Sequence, residues 1–330
     1  MINTTRRHFL ASAAAAGVLA AQGSRAVQGW IDVHHHVAPE FWKKATNIPQ
    51  AWTLEQTLAA MDANGVATAI ASFTGPGPWL GPANVQASRD LARQCNEYQA
   101  KLVTDHPGRF GFFTALPLPD PEGSLKEIEY AFDTLKADGA GLLTSYGENK
   151  WLGEPAFAPV LAELNRRKAT VYVHPYTPAC CGTLMANVRA QVLEWPHDTT
   201  RTIVNLVLSG TLAKYRDIQF IFSHGGGTLP SLAGRIVQMT ARQPEIASGA
   251  PQGVEAELRR LNFEIANASH PASMAALMKL VPMTNILFGT DYPFVPVEET
   301  AKGLKAAGLS AADLAAVSRT NAGRLLPRWK

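Results

Sequence analysis

Short apolar runs rich in β-branched and aromatic residues alternate along this chain with longer stretches whose apolar positions recur every three or four residues. The short runs are WIDVHH (30–35), ATAIASF (67–73), FGFFTALPL (110–118), GAGLLTSY (139–146), TVYVHPY (170–176), IQFIFSHG (218–225), LNFEIAN (261–267) and ILFGTDY (286–292). Near-continuous apolar runs of this length are what strands covered on both faces require. Between them, TLEQTLAAMDANG places Leu54, Leu58 and Met61 at helical spacing and stops at Gly65, while SLKEIEYAFDTLKADG lines up Leu125, Ile128, Phe132 and Leu135. The longest connection, 177–217, carries an extended pattern through RTIVNLVLSGTLAKY. Eight strands alternating with helices predict an α/β fold, a single (β/α)8 (TIM) barrel. An open doubly wound sheet is the second reading. It would normally carry a glycine-rich turn after its first strand, whereas here that strand runs into histidines and Ala38-Pro39.

Composition narrows the picture at one end of the chain. The formal charge of +3 resides in residues 1–26, which hold Arg6, Arg7 and Arg25 and no acid or lysine, so the remainder is neutral. A neutral domain lacks the basic stripe of a nucleic-acid binder. TTRRHFL, the apolar ASAAAAGVLAA and the small residues before a cut after Ala26 together predict a twin-arginine signal peptide over 1–26, with the barrel domain over 27–330, and a periplasmic location. If the leader is a plain N-terminal extension, the protein is cytoplasmic. The apolar run is too short to span a bilayer, so no stable membrane insertion is expected. Three cysteines are too few for a disulfide framework, and the adjacent Cys180 and Cys181 are read as free thiols.

The chemistry concentrates where a barrel builds its active site, at the C-terminal ends of the strands. His34 and His36 end the first strand, His174 the fifth, His224 the sixth and Asp291 the eighth. Alternation along a strand puts His34 and His36 on one side and His35 on the other. Asp32, two residues before His34, is expected on the His34/His36 side, where it would orient a ligand imidazole. Imidazole and carboxylate donors suit one divalent ion, zinc first, with manganese or iron as alternatives. The fourth strand has no lysine to bridge a second ion.

IDVHHHVAP, VYVHP, IFSHGGGTLPSLAGRI and ILFGTDYPF, in this order and spacing, resemble the amidohydrolase superfamily. The likeness is to its amidohydrolase-related branch, which holds aminocarboxymuconate-semialdehyde and 6-methylsalicylate decarboxylases, and it covers residues 30–326. It implies metal ligation by His34, His36, His174 and Asp291, with His224 moving a proton or polarising a metal-bound water. It further implies Arg235 binding a substrate carboxylate, in some members across a dimer interface, hence a homodimer, and Phe294 packing against the substrate ring. The chain departs from the pattern after the seventh strand, where FEIANASHP supplies Glu264 near the usual aspartate position and leaves a substrate contact there open. The implied reaction is metal-dependent, non-oxidative decarboxylation of a small aromatic or unsaturated carboxylic acid, with Asp291 or His224 as proton carrier. The same ligands would serve a hydrolase of a lactone, ester or amide, or a hydratase, and a catalytically inactive metal-binding protein is the third reading.

Overall fold

The computed structural model describes residues 29–148, 150–182 and 184–330; the leader expected over 1–26 lies outside them. Eight strands, β1 (Trp30–His36), β2 (Val66–Ser72), β3 (Phe110–Ala115), β4 (Gly139–Leu143), β5 (Thr170–His174), β6 (Gln219–Phe222), β7 (Asn262–Glu264) and β8 (Ile286–Leu287), pair in parallel, each with the next in sequence. The barrel closes between its first and last strands. Val33 N–H donates to Phe288 O (3.1 Å), Asp291 N–H to His34 O (2.8 Å) and His36 N–H to Tyr292 O (2.8 Å). Closure therefore uses the same segment, 288–292, that carries Asp291.

A principal helix follows every strand: α1 (Leu54–Asn64), α2 (Val85–Asp105), α3 (Pro121–Asp133), α4 (Ala158–Arg166), α5 (Glu194–Leu208), α6 (Leu229–Arg242), α7 (Pro271–Leu280) and α8 (Val297–Ala306). The ends of α1 follow from its sequence. Thr53 accepts the Gln56 N–H as N-cap, and Gly65 takes the left-handed conformation (φ 73°) that ends the helix without a Cβ clash. Ile31, Val33, Ile70, Phe113, Tyr172, Ile221 and Leu287 pack inside the barrel together with Ala322, Leu325 and Leu326 of the C-terminal segment. Thr170 at the start of β5 donates to Leu325 O (2.7 Å), so this plug sits at the N-terminal end. Each fully buried side chain of Ile or Phe size contributes about 1.5–3 kcal/mol, so the barrel is a packed core with only its C-terminal mouth open to chemistry.

Two sequence expectations change here. The extended pattern in RTIVNLVLSGTLAKY is helical, forming most of α5 and a short turn of helix at Thr211–Lys214. Thr199, Thr202, Ile203, Leu206 and Val207 are buried at helical spacing, and Thr199, Thr200 and Thr202 each donate to the carbonyl four residues back (3.2, 3.0 and 3.0 Å). Tertiary burial thus outweighs the weak strand preference of the β-branched residues. Cys180 and Cys181 are not free thiols but are joined to each other by a disulfide. A turn in which Cys181 N–H reaches back to Pro178 O brings them together, and Cys95 stays free and buried.

Candidate metal centre

A change of register in β1 sets the site. Ile31 and Val33 point into the barrel core, yet His34 and His36 project into the mouth, because the pairing with β2 shifts between Asp32 and His35. This corrects the expected role of Asp32. Its Oδ2 accepts from His35 Nδ1 (2.9 Å) and Thr290 Oγ1 (2.6 Å), and its Oδ1 from the backbone N–H groups of His34 and Thr290 (both 3.0 Å). It pins the backbone of β1 to the segment after β8 and touches neither the His34 nor the His36 ring. His35 is fully buried, held by Asp32 and stacked on Tyr292 with ring centroids 5.0 Å apart, and so is kept out of the mouth.

Five side chains converge above the core. His34, His174, His224 and Asp291 offer donor atoms that all lie within 4.8 Å of one another. His36 Nε2 joins them, 2.9 Å from His34 Nε2 and 3.2 Å from Asp291 Oδ1. The distal nitrogens of three rings have their opposite faces held: His34 Nδ1 by Glu264 Oε1 (2.8 Å), His36 Nδ1 by Ser72 Oγ (3.2 Å) and His174 Nδ1 by Pro175 O (2.7 Å). Nδ1–H donation of this kind leaves Nε2 with a free lone pair, the arrangement of a metal-bound imidazole. His174 Nε2, His224 Nε2 and Asp291 Oδ1 are buried without a hydrogen-bond partner. Buried polar atoms are nearly always satisfied, so this set of orphaned donor atoms aimed at one point fits a cation. Asp291, His224 and Asn267 all hold left-handed backbone (φ 64°, 53° and 54°), a strained choice for non-glycine residues that clusters here.

Electrostatics agree with a cation at this point. Burial lowers His36, and it holds His174 well below the ordinary imidazole range with the help of the neighbouring histidines, which favours the neutral ligand forms. For His34 burial acts the same way, but the carboxylates of Glu264 and Asp291 outweigh it and raise the group to about 10. Burial alone would raise Asp291; the charge on His34 and contacts from His224, His34 and His36 instead hold it well below the usual carboxylate range. A divalent ion between these groups would take the place of the proton that the two carboxylates favour on His34.

A cavity of 530 Å³ opens over the centre, lined among others by Arg189, Trp195, His224, Asn267, Asp291 and Phe294. Phe294 stands at its edge, 46% exposed, with its ring 5.6 Å from His36. Arg235 is exposed on α6 and is not among the residues lining this cavity, although Ser231, one turn earlier on the same helix, is. Arg189 is the cation that the chain itself places on the wall. Glu264 is fully buried and touches the metal-facing residues rather than the cavity; a lone acid inside the apolar run LNFEIA was the signal for it. Asn267, whose Nδ2 donates to Asp291 Oδ2 (3.0 Å), carried no sequence signal.

A closed (β/α)8 barrel whose C-terminal mouth gathers imidazoles and one carboxylate around a single point defines the class of mononuclear metal-dependent barrel enzymes. Residues 31–328 match the Amidohydrolase family, and the chain belongs to it. It is 37% identical over 278 residues to the 6-methylsalicylic acid decarboxylase of Penicillium expansum, covering 81% of this chain and 85% of that protein. It is 35% identical over 327 residues to a decarboxylase of Aspergillus niger, covering 91% and 88% respectively. The fold superposes on a dihydroxybenzoic acid decarboxylase from a Polaromonas species, solved with bound manganese and 2-nitroresorcinol, with TM-score 0.81 at 22% identity, over 92% of this chain and 98% of that one. The chain is accordingly an enzyme of the carboxy-lyase type.

Proposed function

We propose that the protein removes carbon dioxide from a small hydroxylated aromatic acid of the 6-methylsalicylate type, using one divalent ion held by His34, His36, His174 and Asp291. The carrying observation is the division of labour at Asp291. Its inner oxygen Oδ1 faces His34 and His36 at 3.1 and 3.2 Å, and its outer oxygen Oδ2 faces Asn267 and His224 at 3.0 and 3.4 Å. His36 is 1% exposed and sits with the inner group, while His224 lies on the turn after β6 and lines the cavity. That favours His36 as the fourth ligand and His224 as the proton carrier. Three imidazoles and a carboxylate suit zinc, our first choice, and also manganese, which the Polaromonas relative holds.

A divalent ion held there by His34, His36, His174 and Asp291 would supply a Lewis acid to bind and orient the substrate's oxygens. The chain does the rest. Trp195 and Phe294 offer aromatic surface to a ring in the cavity, and Asp291 and His224 mark the part of its lining that a carboxylate on that ring would face. His224, steadied by Asp291 Oδ2, delivers a proton to the ring carbon that bears the carboxylate. The C–C bond then breaks, its electron pair returns to the ring, carbon dioxide leaves and aromaticity is restored. One proton enters and one carbon dioxide departs, with no net redox change. His224 is reprotonated from solvent through the open cavity.

In this scheme Arg235 contacts substrate in the site of a second copy. Leu232 and Met239 (each 36% exposed) lie on the same helix as Arg235, and their exposure supports a homodimer through this face. The leader supports export of the folded, metal-loaded protein to the periplasm. Among the described residues no helix is long and apolar enough to cross a membrane.

A panel of salicylates, other hydroxybenzoates, aminocarboxymuconate semialdehyde, pyrones, lactones and esters tests the proposal. Carbon dioxide release should be fastest with 6-substituted salicylates. Turnover confined to the lactones or esters would establish the hydrolase reading instead.

A further inference from the structure

Glu264 makes three contacts that no ligand-binding role explains. Its Oε1 accepts both from His34 Nδ1 (2.8 Å) and from the backbone N–H of His224 (2.7 Å), and its Oε2 accepts from the Ala266 N–H (2.7 Å). The last bond holds the turn that carries Asn267 against Asp291 Oδ2. It is wholly buried, and among the described residues no lysine or arginine pairs with it; its ion-pair partner is His34. The chain also clears space for it. A Cβ at Gly289 would collide with Glu264 Oε2 and with the Cβ of His34, so glycine there lets the carboxylate and the imidazole meet.

We propose that Glu264 is the positioning residue of the metal centre: one buried carboxylate fixes the His34 ring with Nε2 presented to the ion and, through the His224 and Ala266 N–H groups, sets the proton carrier and the Asn267 brace. The inference rests on the metal reading above and adds to it a residue that neither binds the ion nor touches substrate. Two consequences follow from its chemistry. An anion on the far nitrogen makes His34 a stronger donor. Glu264 and Asp291 together also supply the two negative charges that would neutralise a divalent ion held among buried side chains, where an uncompensated charge is costly. Glutamine at this position keeps the shape, removes one of those charges and must turn an NH2 group toward one of the N–H donors that Glu264 now satisfies.

The test compares the full-length wild type with Glu264→Gln, using cobalt(II) as a spectroscopic probe and zinc in competition with a chelator. Wild type should take up one equivalent. E264Q should bind ten to a hundred times more weakly, with an altered visible cobalt band and a smaller metal-induced rise in melting temperature, beyond any fall in the metal-free melting temperature from the N–H donor that glutamine leaves unsatisfied. These readouts separate positioning from a merely structural role, which would lower the melting temperature equally with and without metal and leave the cobalt band and the affinity unchanged. Equal affinities within twofold and identical cobalt bands would overturn the proposal. If E264Q does not fold, Glu264→Asp decides: it keeps the charge but withdraws it by one methylene, so weakened affinity supports the role and wild-type affinity refutes it. A wild type that binds no cobalt or zinc overturns the metal reading itself, an outcome distinct from failure of the Glu264 role.

Discussion

Replacing Asp291 with alanine should strip the bound ion from the protein and lower kcat/KM by about a thousandfold or more, because several kcal/mol of Lewis-acid stabilisation leave with it. The expectation follows from position. Asp291 offers the carboxylate that faces His34, His36 and His224, and its Oδ1 has no hydrogen-bond partner. The chain should remain folded. The Asp291 backbone is held by its N–H to His34 O (2.8 Å) and by the N–H groups of Phe294 and Val295, none of which needs the side chain. Alanine in the left-handed conformation at φ 64° adds a cost of about 1–2 kcal/mol. Asp291→Asn removes that cost while still deleting the charge, so both variants should lose metal. Metal content by elemental analysis, beside circular dichroism, checks the prediction; a D291A protein holding a full equivalent of metal would show that the ion lies elsewhere.

His224→Ala should behave differently, keeping the ion and losing turnover by about 10²–10⁴-fold, the range of a general acid. His224 belongs geometrically to the cluster within 4.8 Å, so its assignment is a choice between two roles that both involve proximity to the ion. If His224 were the fourth ligand and His36 were not, H224A would release metal and His36→Ala would retain it. The paired measurement of metal content in H224A and H36A therefore settles the roles: retention in the first and loss in the second is expected, and the reverse would exchange them. Wild-type turnover by H224A would remove the residue from the chemistry altogether.

The barrel was legible because its strands are buried on both faces and so read as continuous apolar runs, each with a helix between it and the next. The convergence of His34, His36, His174, His224 and Asp291 was legible for a related reason, since one residue type recurring at strand ends maps onto one rim. What strand alternation could not supply was the register shift within β1, which depends on pairing with β2 and reversed the expected role of Asp32. Glu264 was visible as an acid in an apolar run, yet its partners come from β1 and from the turn after β6, some 230 and 40 residues away. Such contacts exist only once the barrel has closed. The α5 sequence misled for a different reason: RTIVNLVL is β-branched and apolar, and only its buried face and its threonine hydroxyls, bonded one turn back, show it to be helix. Arg235 belongs to the relationship rather than to the chain's own geometry, because in this chain it is an exposed residue of α6 that does not line the cavity.

The most direct test of metal-dependent decarboxylation is a product analysis with 6-methylsalicylate in deuterated water, run on the metal-loaded enzyme and on the same sample after chelation. The expected result is one carbon dioxide per 3-methylphenol formed, a single deuterium on the carbon that lost the carboxylate, loss of turnover on chelation and its return when zinc or manganese is restored. Turnover undiminished in the metal-free enzyme, or a product that has gained water without releasing carbon dioxide, would contradict it.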